Sequence, residues 1–150
     1  MFWGVTRRRV ALLGVAALAL AAFALPSNAS ASFATHFSVI SEDVSERESG
    51  NTVVFRTVLY NPFNLSNRVG RSVFKCRFGE GRKFHCKGGI HLDGSIGGFG
   101  NLFVKGNLGR GDHTLNVHDG SGDFSGAVTG KIFIHNLNQP VNQIDFALTR

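Results

Sequence analysis

Chemistry in this 150-residue chain would have to come from six histidines, two cysteines and a scatter of Asp, Ser and Gly. A metal site needs ligands that converge at a short, recognisable spacing. His113 and His118 stand five apart, which puts them on opposite faces of a strand. His85 and His91 share a parity, but Gly88 and Gly89 between them are a place for a bulge. No His-x-His or Cys-x-x-Cys occurs. The spacing offers no metal site, and no metal or other cofactor is expected. Asp119-Gly120-Ser121-Gly122-Asp123 begins like a calcium loop. Its sixth position is Phe124 where that loop needs glycine, and its twelfth is Gly130 where a glutamate should close the site. A plain glycine turn is the simpler reading. Ser, His and Asp show no nucleophile-elbow pattern, so no catalytic residue can be named.

Ligand contacts are easier to place. Arg56 and Tyr60 share a strand face with Val54 and Val58. If that face lines an interior, the two offer a charge and a hydroxyl to a bound molecule. If it faces outward, both are surface residues. His36 is a third candidate of the same kind.

What must position these residues is visible in residues 72–88, SVFKCRFGEGRKFHCKG. Folding the chain back at Gly81 sets Phe78 opposite Phe84, Cys76 opposite Cys86 and Phe74 opposite Gly88. Phe74, Cys76, Phe78, Phe84 and Cys86 then share one face, and Lys75, Arg77, His85 and Lys87 the other. This is the pattern of two half-buried antiparallel strands joined by a glycine-bearing loop. Opposed residues in such a pair come within disulfide reach, so a Cys76–Cys86 bond is expected. The rival reading is a reactive thiol, but His85, the nearest base, points to the opposite face. The basic face could attract an anionic surface or be no more than a solvated strand face.

The compartment follows from the N-terminus. Arg7-Arg8-Arg9, a run of apolar residues to Leu25, Pro26 and then Ala29-Ser30-Ala31 make a secretory signal peptide over residues 1–31. The general and twin-arginine export routes are both open. The apolar run is too short to span a bilayer, so no stable membrane insertion is expected after cleavage. Residues 32–150 form one secreted, extracytoplasmic domain, an oxidising setting in which two cysteines pair. Without the leader's three arginines, 13 Lys and Arg face 10 Asp and Glu. That excess is too small to suggest nucleic-acid binding.

No helical period appears beyond the leader, and 17 of the 19 glycines lie there. Short Val, Ile, Phe and Leu runs separated by turn residues predict strands at 33–40, 52–60, 69–78, 83–92, 102–108, 113–118, 127–136 and 141–148. The charged stretch 41–50, the Asn-rich stretch 61–67 and the glycine-rich stretch 119–126 are expected to be loops. Eight strands with short antiparallel connections suit an up-and-down barrel or a sandwich.

The second half carries a resemblance. From Cys76 through His91, Phe103 and His113 to Gly130, the sequence resembles the allene oxide cyclase and dirigent barrel superfamily. Gly120, Gly122, Phe124 and Ala127 occupy places of the family's glycine-rich signature turn. Asp119 and Ser121 replace two of its residues, and Thr129 is an insertion. The resemblance implies an all-β, eight-stranded antiparallel up-and-down β-barrel with a cavity at one end and, from the plant members, a homotrimer. It also implies an apolar small molecule as partner. Steering the cyclisation or stereoselective coupling of such a molecule is the activity expected from it. The alternative is a non-catalytic cell-envelope module, with a filled barrel and an exposed apolar patch.

Overall fold

The computed structural model describes residues 35–79, 83–109, 111–126, 129–138 and 140–149. Residues 1–31, expected to be a leader, the hairpin apex at Gly81 and Ala127 of the signature turn lie outside these.

Among the described residues the elements are eight strands: β1 (His36–Ser49), β2 (Thr52–Asn61), β3 (Asn64–Phe78), β4 (Phe84–Asp93), β5 (Phe99–Leu108), β6 (His113–Gly122), β7 (Thr129–Asn138) and β8 (Val141–Thr149). Each pairs antiparallel with the next, and β1 also pairs with β8, so the sheet closes into a barrel. Closure leaves no sheet edge to pair with another chain.

Three stretches expected as loops are strand. Residues 41–49 are charged, yet they pair with β2 as far as Ser49↔Thr52. A strand can carry charge on every residue where both faces are wet, and residues 42–49 are all exposed. The Asn-rich stretch turns only at Pro62 and Phe63. There Asn61 Oδ1 accepts the Phe63 amide at 2.9 Å, an Asx turn that lets β3 begin at Asn64. Residues 119–122 continue β6 along β5. Among the described residues of this stretch, Asp123 to Gly126 form the turn.

The hairpin register is the expected one: Phe78↔Phe84, Cys76↔Cys86 and Phe74↔Gly88. No bulge interrupts β4 at Gly88 and Gly89. Cys76 and Cys86 are bonded, with Cα atoms 4.0 Å apart and both side chains in the core. Gly88 is there for space. A Cβ on it would come within 2.6 Å of the Phe74 ring.

Inward residues alternate along every strand and fill the barrel from one end. Val39, Leu59, Leu92, Leu102 and Phe146 are buried together there. Phe124, from the β6–β7 turn, is fully buried among them. Gly120 faces it at a distance only glycine permits, since a Cβ would lie 2.4 Å from the Phe124 carbonyl oxygen. The signature turn therefore belongs to the plugged end. The loops at the opposite end follow β1, β3, β5 and β7, and there the core stops short.

Candidate functional site

The open end holds a cavity of about 300 Å³. Phe55, Phe74 and Phe84 line it together with Leu108, Ile134 and Ile144. Alternation explains the Phe residues: each stands on the inward parity of β2, β3 or β4. Phe55 and Phe84 meet edge to face, with ring centroids 6.4 Å apart. Ser41 and Thr57, both buried, form a hydroxyl floor. Thr57 shares a 2.7 Å hydrogen bond with buried Ser72, so the floor is polar and satisfied.

The rim is ionisable. Asp43 and Glu46 line the cavity from β1, although three residues apart they should point to opposite sides of a strand. The ladder shows why they do not. Asp43 pairs with Thr57 and Ser45 with Arg56, leaving Val44 as a bulge. The extra residue shifts the parity by one and returns Glu46 to the inner face, opposite Phe55. Asp43 keeps an exposed edge at the rim, but partial burial against the cavity wall raises its carboxyl pKa, and the charge of Glu46 pushes it the same way. A carboxyl so placed holds its proton at higher pH than a free aspartate.

His113 lies across the mouth at the start of β6. Its Nε2 accepts the Gly109 amide at 3.1 Å, which leaves the ring proton on Nδ1. Asn136 and Asn142 complete the polar rim. The mouth thus combines three aromatic rings, a carboxyl of raised proton affinity, a carboxylate and an imidazole.

The residues singled out from sequence lie elsewhere. The inward face of β2 is Val53, Phe55, Thr57 and Leu59. Arg56 is exposed on the outer face, where it borders a surface depression with Arg47 and Lys75. Tyr60 shares that outer parity and is half-buried. His36 is exposed at the start of β1. The structure does not bring these three together at the mouth. His113 and His118 do stand on opposite sides of the wall, as their spacing requires. Among the described residues no group of three His, Cys, Asp or Glu side chains is placed to hold a metal. Nothing in the sequence points to Asp43 and Glu46, because a charged stretch predicts a loop and a bulge in a charged strand leaves no compositional mark.

No family model matches the sequence, and no curated protein is similar to it. Among the solved structures similar in fold is one described as "Pyocyanin demethylase", with a TM-score of 0.60. The match is 16% identical in sequence and covers 76% of this chain and 99% of that one. The likeness is one of barrel architecture.

Proposed function

We propose that the barrel binds a small, largely apolar molecule in its open mouth, with Asp43 as the group that exchanges a hydrogen bond or proton with it. The observation that carries this reading is the phenylalanine-lined cavity of about 300 Å³ with Asp43 and Glu46 at its rim. Its size lies at the lower end of the range for small-molecule sites. Three rigid rings select one conformer of a flexible guest, which is the contribution a cyclisation or coupling needs from its protein. A protonated Asp43 would donate to a carbonyl or a developing oxyanion. The similar barrel of pyocyanin demethylase bears, by its name, on a small molecule, and the resemblance to allene oxide cyclases and dirigent proteins supports the same use of the mouth. The disulfide suggests an oxidising environment. The leader at 1–31 supplies the route by which the protein would be secreted.

The test is titration of the processed domain with an environment-sensitive apolar dye. The parent should bind one dye, and Ile134→Trp, which fills the mouth, should lose it. A parent that takes no dye, or a variant that binds as the parent does, would refute the site.

A second reading rests on Phe63, 94% exposed, and Leu65, 61% exposed, at the plugged end. There the barrel would serve as an interaction module that offers an apolar tip to another surface. Phe63→Ser with Leu65→Ser would then abolish association without changing dye binding.

A further inference from the structure

The outer wall of β2 to β5 carries a concentration of positive charge that folding does not explain. Lys75 pairs with Lys87, and Lys87 pairs with Lys105. Three lysines thus stand directly opposite one another on adjacent strands, within about 10 Å. Like charges so placed destabilise a sheet. Arg47 continues the same rung beyond Val54. The rungs on either side add Arg77 beside His85, and Arg56 beside Val73. All these cationic side chains are exposed. Across β1 to β5 the three rungs contain no carboxylate, while on β6 Asp119 stands opposite Phe103 at the border of the wall; among the described residues none of the cations is ion-paired.

The wall also has a recess. Val73, Gly89 and Phe103 are consecutive across β3, β4 and β5. Gly89 has no side chain, so Val73 and Phe103 flank a shallow depression bordered by Lys75, Lys87 and His118. Val73 is 42% and Phe103 40% exposed. The apolar surface therefore lies in a dip between cations and not on a projecting loop, as a membrane-inserting residue would.

We propose that this wall binds a linear acidic polysaccharide of the polyuronate class. A pyranose ring presents a C–H face that fits on Phe103 over Gly89. Its carboxylates, and those of neighbouring units, meet Lys75, Lys87 and Lys105, with Arg56 and Arg77 extending the track along the strands. Repeated charge on the polymer matches repeated charge on the wall, and rising salt weakens the match by screening. This surface is separate from the mouth.

The probe is polygalacturonate oligomers, with neutral dextran, a single-stranded oligonucleotide and vesicles rich in anionic phospholipid as competitors. The parent should bind polygalacturonate in low salt and not dextran. Lys75→Gln with Lys87→Gln should weaken binding at least tenfold, and Phe103→Ser severalfold at unchanged charge. Lys131→Gln, two strands beyond Lys105 with neutral Asn116 between them, should lose far less than the lysine pair does. The lysine pair should also raise Tm in low salt, because it removes cross-strand repulsion; this confirms a folded variant. No polygalacturonate binding, an equal loss in Lys131→Gln, no effect of Phe103→Ser, or preferential capture by the oligonucleotide or vesicles would overturn the proposal.

Discussion

Asp43 couples the site to stability with a definite sign. Its carboxyl is raised, so the native state holds this proton where the unfolded chain has already released it. Keeping the charge in the folded state therefore costs stability as pH rises above the ordinary aspartate value. Asp43→Asn should raise Tm at pH 7 while weakening ligand binding, and the gain in Tm should vanish as pH is lowered below about 4. Thermal scans across pH check both. His135 has the opposite effect. It lies between Asp112, 3.0 Å from Nδ1, and Asp145, 3.2 Å from Nε2. The hydrogen bond to Asp112 raises its pKa, with the charges of both aspartates helping against desolvation. Its contribution is fully present below the unfolded histidine value of about 6.5 and is lost as pH climbs through the raised folded value. Tm of the parent should thus fall towards that of His135→Gln as pH rises above about 6.5; a constant gap would contradict the bridging role. Histidine spacing in the sequence speaks only to short motifs within one strand. It could not show this bridge, because its partners come from the β5–β6 connection and from β8.

The hairpin of β3 and β4 was the most legible element, because period-two alternation, a glycine loop and paired cysteines all specify one register. Replacing Cys76 and Cys86 by serine should cost about 2–3 kcal/mol in a denaturant titration, the scale for a short closed loop. An unchanged intact mass on treatment with reductant would contradict the bond. β1 was the least legible. Composition marks a strand only where one face is dry, and most of β1 has two wet faces. Deleting Val44 should send Glu46 outward and Arg47 inward, so dye affinity should fall even where the domain stays folded. The same logic applies to Arg56 and Tyr60: parity put them correctly on one face, but which face is inward depends on barrel closure, a property of all eight strands.

At the scale of the molecule, one end of the barrel is filled for stability and the other left open. Phe124→Ala should cost about 3–5 kcal/mol, as for a fully buried aromatic, and leave the mouth intact. The eight-strand antiparallel order was legible because short connections allow few other topologies. The cavity was not, since it depends on where inward side chains stop and on the Val44 bulge. The most direct measurement is native mass spectrometry of the protein isolated from the cells that make it or from their medium, alongside Ile134→Trp. The account predicts a co-purifying small mass on the parent that is missing from the variant. A parent free of any adduct that also refuses apolar dyes, or an adduct retained by the filled variant, would contradict it.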